Sequence, residues 1–230
     1  MKKFLSIISA VAGVTAASHG QGTVIFATSA SVASHVSVSS SIGGTTFTPI
    51  TGPADSFYFA LFASINSGSV LGSTAAIIGG TGPNFSSDAS FVFNDPNWSF
   101  ISYGASTGVT GKFASSGAVN SDGTTTIPFA TAASPVNVVT IGWSSNIGST
   151  VASVESFFNT PNATGFTGET AVNTVSAGSV PGSGSSTANN VFSGITGLQL
   201  GQVVTTPEPT SIALGVMGGL SLLALRRKKA

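Results

Sequence analysis

The sequence lacks cysteine entirely and carries little charge. Without cysteine, disulfide bonds, thiolate catalysis and cysteine-ligated metals are excluded, so burial of a core alone must hold the fold. Charged residues make up 6% of the chain, whereas a typical globular protein has about 25%. Serine, threonine, asparagine and glycine must therefore supply the solvated surface, as is common in extracellular β-proteins.

The few cations are also unevenly distributed. Seven basic residues balance seven acidic ones, but six of the basic residues lie in the two terminal segments. The chain between them keeps Lys112 against six acids, which leaves it a net charge of −5. Such a surface is a poor partner for phosphate backbones, so no nucleic-acid binding is expected. The 41% hydrophobic content and 16 phenylalanines argue against a disordered chain. The six acids are Asp55, Asp88, Asp95, Asp122, Glu155 and Glu169.

The first 20 residues have the pattern of a cleavable export signal. A basic start, Met1-Lys2-Lys3, precedes an apolar stretch at 4–14, and small residues follow it. We expect cleavage before Gln21, with Ser18 and Gly20 at the positions that the signal peptidase reads. A core strand is the alternative for 4–14, and the two lysines argue against it.

A second targeting pattern spans 205–230. Pro207-Glu208-Pro209-Thr210-Ser211 leads into an apolar run at 212–225, and four cations follow. The run is about 21 Å long as a helix, short against a hydrocarbon core of roughly 30 Å. Thr210 and Ser211 can extend it, and the cations fit a cytoplasmic stop. A buried core helix is the alternative. The stop consists of Arg226, Arg227, Lys228 and Lys229.

These parts, in this order, resemble the PEP-CTERM sorting signal of Gram-negative bacteria. Thr206 departs from the pattern, because valine is common before the box. The resemblance implies recognition and processing by an exosortase, a membrane-embedded cysteine protease, often in bacteria that make exopolysaccharide. It also implies a transient inner-membrane anchor with the basic tail inside. After processing, the protein would stand at the cell surface or outside the cell. The sorting residues would be Pro207, Glu208, Pro209, Thr210 and Ser211.

The passenger between these signals, 21–204, has the pattern of an all-β domain. Nine short segments rich in β-branched and aromatic residues predict strands at 22–27, 32–38, 57–63, 90–93, 109–114, 125–130, 136–143, 171–175 and 198–204. Segments 57–62 and 136–143 are apolar on both alternating faces, which predicts central strands covered on two sides. We expect a β-sandwich or jelly-roll-like fold. Gly123, in Asn120-Ser121-Asp122-Gly123, predicts a hairpin turn.

One segment, 149–159, has helical periodicity. Val151, Val154, Phe157 and Phe158 share one face, Ser149 can cap the start, and Pro161 prevents continuation. This predicts one short helix across an open end or edge of the sandwich. The stretch 176–190 is a flexible loop by composition, and a short linker is expected around Thr205-Thr206.

The passenger is also loosely similar to those of tagged proteins from Verrucomicrobia-like bacteria. The similarity rests on Gln21-Gly22-Thr23-Val24 and on Ile141-Gly142-Trp143-Ser144-Ser145-Asn146. It implies a β-rich surface domain and no active-site residues.

No catalytic or metal-binding pattern withstands scrutiny. Gly104-Ala105-Ser106-Thr107-Gly108 matches a nucleophile elbow, but in so glycine- and serine-rich a chain the match is expected by chance. A triad also needs a base, and His35 is the single histidine outside the export signal. Asp88 and Asp95 are the nearest acids for a glycosidase pair. Together with Asp122, these two acids could bind calcium, but the sequence has no calcium-loop pattern. We predict no enzyme, cofactor or metal.

Trp98 is the best candidate for ligand binding. It lies in the expected loop Asn97-Trp98-Ser99-Phe100, where an exposed indole could stack on sugars. Closing one end of the core is its alternative role. Two functions therefore stay open: a structural or interaction protein of the envelope or extracellular matrix, and a carbohydrate-binding module for extracellular polysaccharide.

Overall fold

The computed structural model describes residues 21–28, 36–42, 46–70, 92–116, 118, 122–179, 187–195 and 197–205. The predicted export signal, sorting residues and basic stop lie outside them. Within these ranges the chain forms thirteen strands and one α-helix, α1 (Val151–Phe158), so the fold is mostly β as predicted. The strands are β1 Gly22–Ile25, β2 Val36–Ile42, β3 Phe47–Pro49, β4 Ala54–Ser64, β5 Ser99–Thr107, β6 Phe113–Ser115, β7 Thr124–Ile127, β8 Pro135–Ser144, β9 Thr164–Glu169, β10 Asn173–Ser176, β11 Gly178–Ser179, β12 Asn189–Asn190 and β13 Leu198–Val204.

The strands form two sheets. In the smaller sheet, β7 pairs with all of β1, while β11 and β12 pair with the first and second halves of β1. The larger sheet has the order β3-β2-β13-β9-β8-β4-β5-β6, with β10 also paired to β8. Two pairs, β1 with β12 and β2 with β13, are parallel, and the other pairs are antiparallel. Parallel neighbours need crossover connections, which distinguishes this topology from an all-antiparallel jelly roll.

The larger sheet curls until its two ends meet at Gly111. The N–H of Val36, at the start of β2, donates to the carbonyl of Gly111 at 3.0 Å. The N–H of Gly111 in turn donates to the carbonyl of Ile50 at 2.9 Å. Gly111 immediately precedes the opposite edge strand, β6, which also bridges to Ala27 through Ala114. The curl therefore brings that edge against the chain that leaves the smaller sheet.

An inner core joins the two sheets. It combines Val24 and Phe26, from or next to β1, with side chains of β4, β6, β7 and β13. Phe113 lies at its centre: its ring centroid is 4.3 Å from that of Phe59, 5.0 Å from that of Phe26 and 5.8 Å from that of Phe192. The other fully buried members include Leu61, Ile127, Leu198 and Leu200.

An outer core covers the opposite face of the larger sheet. Strands β4 and β8 contribute alternate residues to the two cores, because successive side chains of a strand point to opposite faces. Phe59 belongs to the inner core and Ala60 to the outer core. The prediction that 57–62 and 136–143 are covered on both faces is therefore confirmed. The outer core consists of Ala60, Phe62, Val70, Val92, Trp98, Val139, Ile141, Trp143 and Val154.

The predicted helix is confirmed as α1, with a different cap and position. The hydroxyl of Thr150, rather than of Ser149, accepts the N–H of Ser153 at 3.2 Å. Val154 is 1% exposed and packs into the outer core together with Val151 and Phe158. The helix therefore covers a face of the larger sheet rather than an open end or edge.

The predicted hairpin at 120–123 is wrong. Gly123 does adopt the positive φ of 87° that tight turns require. However, β6 before the turn pairs with β5, and β7 after it pairs with β1 in the other sheet. Between β6 and β7 the chain therefore passes from the larger sheet to the smaller one.

Two predicted strands are also different. Residues 92 and 93 of the predicted strand 90–93 belong to a 3-10 turn, Val92–Asn94. Residues 109–112 form a turn, and only β6 remains of the strand predicted at 109–114. Among the described residues, no helix is both long and apolar enough to cross a membrane.

Candidate functional site

Trp98 is buried, which agrees with its role in closing the core and not with an exposed sugar platform. Its side chain is 6% exposed and belongs to the outer core. Its Nε1–H donates to the carbonyl of Ser69 at 3.1 Å, and its backbone N–H donates to the carbonyl of Asp95 at 3.1 Å. The indole therefore fastens the loop at Ser69 onto the outer core, which is the alternative role that the sequence left open.

A buried carboxylic acid lies in the same layer. Glu169, the last residue of β9, is 3% exposed, and its Oε2 accepts the N–H of Val92 at 2.7 Å. Burial raises the pKa of Glu169 to about 8, and the hydrogen bond from Val92 offsets only part of that effect. The group is thus neutral over much of the physiological pH range, and it holds the 3-10 turn against the sheet. Sequence patterns missed it because β9 was not predicted.

Next to Glu169, the same strand buries a hydroxyl without a partner. Thr167 pairs with Trp143 and Glu169 pairs with Ile141, so both side chains point into the outer core. Thr167 is 0% exposed, and among the residues that the structure describes its Oγ1 finds no hydrogen-bond partner. The pair is internal, and neither side chain presents a reactive group to solvent.

The serine of the elbow-like motif belongs to a strand. Ser106 lies in β5, is 6% exposed, and its Oγ accepts the N–H of Phe57 at 3.2 Å. A nucleophile elbow instead needs a sharp strand-to-helix turn with an exposed hydroxyl. His35, the base that a triad would need, lies outside the described residues.

Of the acids considered for metal binding, the structure describes Asp95 and Asp122. Asp122 receives hydrogen bonds from the hydroxyl and the N–H of Thr124 at 2.7 and 2.9 Å, which lower the pKa of Asp122. It therefore serves as a turn cap. In the described part of the chain, no three acids or histidines cluster, and Asp88 lies outside that part.

An open groove of about 420 Å³ runs beside α1. Its lining carries hydroxyl and amide groups together with Ile147, Phe157 and two alanines, and it includes no charged side chain. The polar groups are largely paired within the protein. For example, Asn146 Nδ2 donates to the carbonyl of Thr164 at 2.6 Å. The polar lining residues are Asn146, Thr150, Ser153, Ser156 and Thr160.

The groove borders the end of the last strand. Thr160 and Ala163, which line it, also hold Thr205, the residue after β13. The sequence placed Thr205 in a linker, but its side chain is 5% exposed and its backbone is bonded on both sides. Composition missed this, because a threonine beside another threonine carries no signal of burial.

Comparisons of this chain with protein-family models, with curated proteins and with solved structures find no match. Function therefore rests on the residues themselves.

Proposed function

We propose that this chain is an exported envelope or extracellular-matrix protein. It is sorted through Pro207–Ser211 and the segment that follows, and its passenger is a structural or interaction domain without catalysis. The observation that carries the proposal is the succession of a Pro-Glu-Pro box, an apolar run and four cations. Its partners would be an exosortase-type protease and, transiently, the inner membrane.

The passenger's construction supports a non-catalytic role. We propose a sandwich-like packing of its two sheets, supported by the inner core that they share. Ser106 and Glu169, the two groups that could suggest chemistry, are buried and bonded to backbone amides. Burial of Trp98 removes the main motive for a carbohydrate-binding module, so we do not propose that alternative.

The test is intact-mass spectrometry of the full-length chain expressed in a Gram-negative host that processes such signals. We expect an N-terminus near Gln21 and loss of the residues that follow the Pro-Glu-Pro box. Replacing Pro207, Glu208 and Pro209 by alanine should accumulate the unprocessed form. The control Pro128→Ala, at an exposed proline of the domain, should be processed normally. A secreted wild-type form that retains Arg226–Lys229 would refute the proposal.

A further inference from the structure

The domain holds the chain firmly at Thr205, two residues before Pro207. The N–H of Asn162 donates to the carbonyl of Thr205 at 2.8 Å, and the N–H of Thr205 donates to the carbonyl of Ala163 at 2.9 Å. The Thr205 hydroxyl accepts the N–H of Ala163 at 2.9 Å and donates to the carbonyl of Thr160. Four hydrogen bonds thus fix the point where the chain leaves the fold.

Covalent geometry then limits how far the box can lie from this point. Pro207 is two residues after Thr205, so their Cα atoms are at most about 7 Å apart in any conformation. A protein that grips Pro207 must therefore touch the domain around Thr205. We call this surface the exit face: Thr160, Pro161, Asn162, Ala163, Thr205 and the adjoining groove.

We propose that the exit face is a docking surface for the protease that processes the sorting segment. This inference rests on the proposed function. The groove supplies unoccupied space of about 420 Å³ beside the fixed exit point. Its lining combines hydroxyl, amide and apolar side chains and carries no charge, so a protein surface can cover it without burying an unpaired charge. Without a lysine or arginine in the lining, it offers no attraction to anionic lipid headgroups.

The test places a charge in the groove of the full-length chain. Ser156 is an exposed residue of α1 whose side chain lines the groove, so Ser156→Arg is compatible with the helix. We expect processing to slow about tenfold, because an unpaired guanidinium in an interface costs at least the ~1.4 kcal/mol of that factor. The control is Thr110→Arg, in the exposed turn beside Gly111. This control lies far from the exit face. Gly111 contacts the start of β2, which pairs with the start of β13. The start of β13 is about 20 Å along the strand from Thr205.

A second arm tests the geometric cause. Ten glycine and serine residues inserted after Thr205 separate the box from the domain by a root-mean-square distance of about 17 Å. In that chain Ser156→Arg should be processed as fast as its parent. Normal processing of Ser156→Arg without the insertion would overturn the inference. That outcome is also the one expected if the face met lipid, which an added arginine would attract.

The remaining outcomes separate the two proposals. A defect of Ser156→Arg that persists with the insertion would reflect export or folding and would overturn the inference. Urea unfolding of the purified variants checks the folding directly. If the wild-type chain is not processed at all, the proposed function itself fails. If the wild type is processed and the groove variant behaves like Thr110→Arg, only the docking surface fails.

Discussion

The two faces of the larger sheet are covered in different ways. On the inner face, rings pack on rings, and Phe113 is in contact with Phe26, Phe59 and Phe192. On the outer face, large side chains also carry a polar group that binds a backbone segment outside the strands. Trp143 Nε1 donates to the carbonyl of Gly148 at 2.8 Å, and the Tyr103 hydroxyl accepts the N–H of Val151 at 3.2 Å.

The difference shows how a chain poor in charge and without cysteine fastens its loops. Sheet can be packed on sheet by apolar area alone. A 3-10 turn or a helix start also has free backbone groups that need partners, and the outer core supplies them from Trp98, Trp143, Tyr103 and Glu169. Both buried acids found among the described residues, Asp95 and Glu169, belong to this side. The contribution of the outer core to the free energy of unfolding should therefore depend on pH, and that of the inner core should not.

The largest expected effect is the pH dependence that Glu169 imposes. Burial raises the pKa of Glu169 from its ordinary value of 4.5 to about 8 in the fold, so the unfolded chain releases this proton first as pH rises. The stabilisation is complete below pH 4.5 and is lost progressively up to about pH 8. At about 1.4 kcal/mol for each pH unit, the free energy of unfolding should fall by roughly 4–5 kcal/mol. Urea unfolding between pH 4 and 9 measures it.

Substitutions test whether Glu169 causes this pH dependence of the free energy of unfolding. Glu169→Gln keeps an acceptor for Val92 and cannot ionise, so its free energy of unfolding should be nearly flat over this range. Asp55→Asn, at an exposed position whose φ of 61° suits asparagine, should keep the slope. A wild-type protein equally stable at pH 5 and pH 8 would show that the outer layer opens to water around Glu169.

The next largest effect belongs to the inner core. Phe59 is 0% exposed and stacks on Phe113, so Phe59→Ala should lower the free energy of unfolding by about 3–5 kcal/mol. Phe59→Leu, which keeps most of the volume, should cost less than about 1.5 kcal/mol. Both variants should retain the wild-type pH slope. A slope that changes with Phe59→Ala would mean that the two cores do not act independently.

The sequence predicted the strands and the helix whose apolar residues recur at regular spacing. The apolar residues on both faces of 57–62 and 136–143 indicated central strands, and β4 and β8 confirm this. The run 198–204 matches β13 at both ends. The helix was visible because its apolar side chains recur at helical spacing and a proline follows it.

Strand β5 was missed because its buried residues, Ser102, Gly104 and Ser106, are small. A Cβ added to Gly104 would lie 3.0 Å from the Phe113 ring, so the space above this strand is filled by side chains of other strands. A run of small residues has the composition of a loop, and the sequence does not show that distant strands pack against it. Burial of Trp98 and Glu169 is hidden for the same reason, since both are covered by contacts that only the tertiary fold creates.

The smallest expected effect tests whether the outer core contains a polar group that it does not need. Thr167→Val removes the buried hydroxyl that has no partner among the described residues, so it should raise the free energy of unfolding by up to about 1 kcal/mol. Thr125 is a matched control, because it is 3% exposed and its hydroxyl has two possible acceptors for its one proton, Ser115 Oγ at 3.1 Å and the carbonyl of Gly123 at 3.2 Å.

Thr125→Val should lower the free energy of unfolding by about 1 kcal/mol, because a buried hydroxyl that is hydrogen-bonded in the fold is lost. The two substitutions change the same atoms at similar burial, so only the hydrogen bonds differ. If Thr167→Val destabilises the protein as Thr125→Val does, the Thr167 hydroxyl has a partner, such as a buried water. The outer core would then be as completely satisfied in its polar groups as the inner core.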